Sequence, residues 1–87
     1  MLEFRKSHEF VEDYDWFERH DSRAIAKIDR LVRDIRLHPK SGIGKPEPLR
    51  HQGEGFWSRR IDRKNRLVYH VGEEVVLLLH CRGHYEA

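Results

Sequence analysis

The sequence predicts an α+β fold in which two N-terminal helices pack on one face of a mainly antiparallel four-stranded sheet, all 87 residues forming one domain. Three observations predict it. Apolar residues recur at helical spacing up to Pro39, and the period changes to two from Phe56 onward. Between them lies a stretch rich in Gly and Pro that has no period at all.

Leu2 to Arg5 can form a short strand. Ser7 is a good N-cap for a first helix, with Glu9, Glu12 and Asp13 near its positive end and Phe10, Tyr14 and Phe17 along one stripe. His20-Asp21-Ser22 makes a break. Ala24, Ile28, Leu31 and Ile35 then follow helical spacing until Pro39 ends the second helix, and the two helices read as a packed hairpin. Ser41 to Gly55 reads as an ordered loop, and a long loop inside a small domain is usually functional. Beyond it Trp57, Arg59 and Ile61 alternate with Phe56, Ser58 and Arg60. A turn through Asp62-Arg63-Lys64-Asn65 leads to Leu67, Tyr69 and Val71 opposite Arg66, Val68 and His70. Gly72-Glu73-Glu74 turns the chain into a last strand, Val75 to Arg82, completing an antiparallel meander. The helices cover one face of such a sheet, and the apolar Leu67/Tyr69/Val71 set belongs there. Arg66 is therefore expected on the open face, within reach of substrate. Cys81 is expected as a small core residue on the face shared with Leu77 and Leu79.

Composition bounds the function. A chain of 87 residues is near the small end of what buries a useful core, so association with a partner would help it. No apolar run reaches membrane-spanning length and the opening lacks the layout of a signal peptide, so a cytoplasmic protein without membrane contact is expected. The single cysteine agrees with a reducing compartment. Net charge is only +2, but it is segregated: residues 30–66 hold eleven Lys/Arg against four Asp/Glu, a balance of +7, between flanks of −3 and −2. Arg30, Arg33 and Arg36 read as the solvated face of a helix. Arg50, Arg59, Arg60 and Arg66, interleaved with Phe56 and Trp57, read as an electrostatic footprint for RNA.

The chemistry centres on Gly44-Lys45-Pro46-Glu47-Pro48-Leu49. Pro46 and Pro48 fix their own φ angles, and Pro48 pushes Glu47 away from helical geometry, so this acid projects from a pre-set extended backbone. A carboxylate to take a proton, arginines for a phosphate and an imidazole to give a proton are what metal-free RNA cleavage requires. Taken alone, Glu47 reads as a loop acid paired with Lys45 or Arg50, and His84 as one of seven histidines. A metal site is not expected: His80 and His84, four apart on a strand, would be separated by roughly 13 Å, and the other histidines are scattered over different elements. No cofactor is expected either.

Those residues, with Gly55-Phe56-Trp57-Ser58-Arg59-Arg60-Ile61, Arg66-Leu67-Val68-Tyr69 and Cys81-Arg82-Gly83-His84-Tyr85, resemble the Txe/YoeB family of toxins within the RelE/ParE superfamily. Tyr14, Trp16, the Lys27-Ile28 to Ile35-Arg36 helix and Pro39 fall in the family's order too. The resemblance implies a RelE-like fold and a ribosome-dependent mRNA endonuclease, an mRNA interferase that cuts in the ribosomal A site by 2′-hydroxyl attack and so inhibits translation. It implies Glu47 as general base, His84 as general acid and Arg66 as stabiliser of charge on the scissile phosphate, with Arg60 a weaker candidate for the same work. Tyr85 would orient a nucleotide; Arg60, Arg50 and Lys45 are the candidate substrate-binding residues. The partners implied are the ribosome and its mRNA, a cognate YefM-like antitoxin whose acidic tail folds over the basic face, and a second copy of the chain. Family members commonly stop at His-Tyr, whereas Glu86 and Ala87 follow here; Glu86 would favour protonated His84. The competing readings are a non-catalytic ParE-like gyrase inhibitor and an RNA-binding module without turnover, which need neither acid nor base.

Overall fold

Helix formation starts at Ser7. Its extended backbone (φ −72°, ψ 161°) and its hydroxyl, which accepts from the Phe10 N–H at 3.0 Å, cap helix α1 over His8–His20. Asp21 caps helix α2, Ser22–Leu37, by accepting from the Ala24 N–H at 3.2 Å, while its own N–H closes α1 on the Phe17 carbonyl at 2.7 Å. One residue thus ends the first helix and starts the second, which makes the pair a hairpin. α2 stops at Leu37 because His38, ahead of Pro39, is pushed out of helical geometry (φ −140°, ψ 81°).

The chain is seen in a computed structural model that describes residues 2–83. The expectations for His84, Tyr85 and the Glu86-Ala87 extension lie outside the described residues. The strands are β1 (Glu3–Lys6), β2 (Glu47–Pro48), β3 (Phe56–Arg60), β4 (Arg66–Val71) and β5 (Val75–His80), in the order β1-β5-β4-β3-β2. The expected α+β class with two helices holds, but the four-stranded sheet is corrected to a mixed sheet of five among the described residues. The extra strand lies inside the expected loop: Glu47 and Pro48 pair antiparallel with Ser58 and Trp57, and Arg50–Gln52 form a 3₁₀ turn. Pro48 is tolerated because β2 is an edge strand, where the missing N–H breaks no ladder. β1 runs parallel to β5, from Glu3 beside Val75 to Lys6 beside Leu78.

The helices pack Phe10, Phe17, Ala24, Ile28, Leu31 and Ile35 against Ile61, Leu67, Tyr69, Val76, Leu78 and Cys81 of the sheet, each 6% exposed or less. Burying one such large apolar side chain stabilises by roughly 1.5–3 kcal/mol. Stability is therefore concentrated on the helix side of the sheet, and the opposite side is free to carry charge. Cys81 is buried as expected, but with Val76 and Leu78 rather than with Leu77 and Leu79. The reason is a bulge: Tyr69 faces Leu78 while Val68 faces His80, so Leu79 is an extra residue and the alternation of β5 reverses across it. Ser7 fastens that bulge, its hydroxyl donating to the Leu79 carbonyl at 2.7 Å.

Candidate active site

Cross-strand register assembles the site. Phe56 faces His70, Ser58 faces Val68 and Arg60 faces Arg66, and these alternate positions share one face of the sheet. Glu47, opposite Ser58, extends the row onto β2. The core takes Leu67 and Tyr69 from β4 but neither Arg66, Val68 nor His70, so this face is the one turned away from the helices. Two backbone bonds to β3 hold the Glu47 segment at both ends. Arg60 N–H donates to the Gly44 carbonyl at 2.6 Å, and Leu49 N–H donates to the Phe56 carbonyl at 2.8 Å. Lys45, between them, has φ +50°, a left-handed conformation that costs a non-glycine residue roughly 1–3 kcal/mol. Its carbonyl is thereby brought to 3.4 Å from Arg66 Nη2.

Arg66 is on the expected face but not on its surface. It is 6% exposed, and Nε donates to the hydroxyl of fully buried Ser58 at 2.9 Å. Among the described residues Arg66 thus uses two of its five N–H donors, both on neutral oxygens, and no carboxylate lies within ion-pair distance. Ser58 was given no role by sequence reasoning. Alternation carried part of the signal, setting it with Phe56 and Arg60 on the face away from Trp57 and Ile61, but its place opposite Glu47 comes only from the β2–β3 pairing. Arg66 also receives the end of the described chain, its N–H donating to the Gly83 carbonyl at 2.9 Å. Asn65 steadies that end by accepting from Gly83 N–H at 2.9 Å.

Glu47 is half-buried and lines a surface groove of about 440 Å³ with Pro48, Arg50 and His51. Among the described residues no cation lies within ion-pair distance of its carboxylate, so the pairing with Lys45 or Arg50 is not formed. Lys45, Arg50 and Arg60 are exposed. A larger groove of about 710 Å³, between β1 and the end of α2, contains none of these residues.

Arg59 leaves the expected RNA footprint altogether. Alternation turns it to the helix side, where it is fully buried and all five N–H donors are taken. Nε donates to the Tyr69 hydroxyl at 3.0 Å. Nη1 donates to Asp34 at 2.5 Å and the Ile43 carbonyl at 3.1 Å, and Nη2 to the carbonyls of His38 and of Ser41, the latter at 2.7 Å. The guanidinium bond holds the Asp34 carboxyl below the usual carboxylate range, and burial pushes the Tyr69 hydroxyl up. Gly42 is required beside this cluster: φ is +114°, and a Cβ there would lie 2.0 Å from Asp34 Oδ2.

A model of the YoeB-like toxins of bacterial type II toxin-antitoxin systems matches residues 6–85. Toxin YoeB of Escherichia coli strain K12 is 47% identical over 79 residues, covering 91% of this chain and 94% of the relative. The YoeB dimer from Staphylococcus aureus superposes with a TM-score of 0.89 at 36% identity, over 97% of this chain and 98% of that one. The heterotetrameric YoeB-YefM toxin-antitoxin complex from the same organism gives 0.84 at 36% identity, over 98% and 99%.

Proposed function

The chain belongs to the YoeB-like toxins of bacterial type II toxin-antitoxin systems, and from that premise we propose that it is a metal-independent endoribonuclease cutting mRNA in the ribosomal A site. Glu47 takes the proton of a ribose 2′-hydroxyl, and the oxygen so freed attacks the adjacent phosphorus. Arg66, with Arg60 at its side, neutralises the charge that builds on the phosphoryl oxygens. His84 protonates the departing 5′-oxygen and Tyr85 orients a nucleotide. The upstream fragment keeps a 2′,3′-cyclic phosphate and the downstream one a 5′-hydroxyl. Arg50 and Lys45, on the exposed rim, meet the RNA backbone.

The observation that supports this reading best is the condition of Arg66. A guanidinium taken out of water with, among the described residues, neutral partners alone is costly, and an anion delivered to its unused donors relieves that cost. Glu47, on the same face with β3 between the two, is where a base for the neighbouring hydroxyl is needed. The YoeB-YefM complex supports a YefM-like antitoxin as partner of this chain, and the YoeB dimer supports self-association. No described helix is long and apolar enough to cross a membrane; action on ribosomes puts the protein in the cytoplasm.

The test is cleavage by programmed ribosomes. A-site cutting with cyclic-phosphate and 5′-hydroxyl ends is expected, abolished by a 2′-deoxy substitution at the cleaved nucleotide. Cutting should continue in EDTA once the ribosome's own magnesium requirement is met. Undiminished cleavage of the 2′-deoxy message overturns the mechanism, and intact message with inhibited gyrase overturns the enzyme class.

A further inference from the structure

We propose that Phe56 and His70 form a stacking platform for the base of a nucleotide flanking the cleaved bond, an inference that rests on the RNA-cleaving reading above. The two residues are cross-strand partners on the same face as Glu47, Ser58 and Arg66. They sit one alternate position along β3 and β4 from the Ser58–Val68 pair, roughly 7 Å away. Their rings meet edge to face, centroids 4.7 Å apart at 63°, and both side chains are half-exposed.

The surroundings leave these rings partly open. Gly55, φ +86°, lies against His70 so closely that a Cβ would stand 2.7 Å from Nε2, and a Cβ on Gly53 would stand 3.6 Å from the Phe56 ring. Val71 N–H donates to the Gly55 carbonyl at 2.8 Å, which fixes the glycine there. Glycine at both positions means that neither of these two residues adds a side chain over the aromatic pair. Grooves of about 320 and 500 Å³ flank it, the first reached by Phe56 and Arg50, the second by His70; Lys40 and Glu54 line both. An edge-to-face aromatic pair next to a phosphate site suits a nucleobase, since every base stacks; Lys40 and Arg50 on the Phe56 side can meet its phosphates, while Glu54 and Glu73 line the His70 side.

The experiment uses ribosomes programmed with messages that carry 2-aminopurine at one position in or beside the A-site codon. The full-length Glu47→Gln variant keeps the message intact. Quenching of the fluorophore on toxin binding is expected at one position. It should be lost with His70→Ala added and kept with His70→Phe, which retains a ring but no imidazole. In the cleaving protein His70→Ala should raise KM roughly ten-fold, the change that about 1.4 kcal/mol of lost stacking gives, with kcat held. Phe56→Leu, which preserves apolar bulk, should act in the same direction. Quenching and KM unchanged in both folded variants, while the parent protein still cuts, overturn the platform and leave the enzyme reading standing. Absence of cutting by the parent protein removes the enzyme reading and the platform with it.

Discussion

Arg59 and Arg66 stand on adjacent strands, both almost fully buried, and they differ in what their guanidinium groups touch. Arg59 spends every donor on a carboxylate, three backbone carbonyls and a tyrosine hydroxyl. Arg66 gives one bond to a serine and a longer one to a carbonyl. A saturated, charge-balanced guanidinium is a structural cross-link between α2, the following loop and the sheet. The other has, among the described residues, unused donors and no counter-charge, which is what the proposed contact with a phosphate requires. Burial alone does not tell the two apart; donor accounting does.

That contrast can be broken at four points. Arg59→Ala should destabilise by about 3–5 kcal/mol, because Asp34 loses its partner and three carbonyls lose their donor. The denaturant midpoint should fall accordingly, while the remaining folded protein still cleaves. Arg66→Ala should reverse the pattern: a cleavage rate lower by roughly 10²–10³, about 2.7–4 kcal/mol of transition-state stabilisation, with a small change in midpoint. Arg66→Lys should rescue poorly, lacking the planar fork. A loss of stability in Arg66→Ala as large as in Arg59→Ala would erase the distinction.

Asp34→Asn should cost about 1.5–3 kcal/mol at neutral pH. Its sign with pH follows from the lowered carboxyl. Stability from the ion pair is present above the ordinary carboxylate pKa of about 3.9 and lost as pH falls through the lower folded value. The gap between parent and variant in urea melts should therefore close below about pH 4. Ser58→Ala should be mildest, slowing cleavage roughly ten-fold by loosening Arg66, which corresponds to about 1.4 kcal/mol. A Ser58→Ala protein with parental kinetics would show that Arg66 is held by other groups.

Much of this was legible in the sequence. Ser7, Asp21 and Pro39 marked the helix ends, since caps and proline act locally, and alternation put Arg66 on the face away from the core. Alternation also placed Arg59 with Trp57 and Ile61 on the core side, yet its charge argued for RNA. The partners that settle it, Asp34 and the carbonyls of residues 38–43, are remote from it and carry no motif. β2 was missed because two residues, one a proline, show no period. The face of Cys81 was missed because one bulged residue reverses parity without leaving a mark in composition. The depth of Arg66 was not foreseeable from period two, which gives direction and not burial.

The parallel pairing of β1 with β5 sets an order of events. Residues 3–6 are made 72 positions before their partners, residues 75–78. At about 5–20 residues per second the first strand waits roughly 4–14 s for something to pair with. The helix hairpin, whose contacts are local, can form in that interval, and so can the β2-β3-β4 meander that carries Glu47 and Arg66; only the β1 edge waits for residues 75–78.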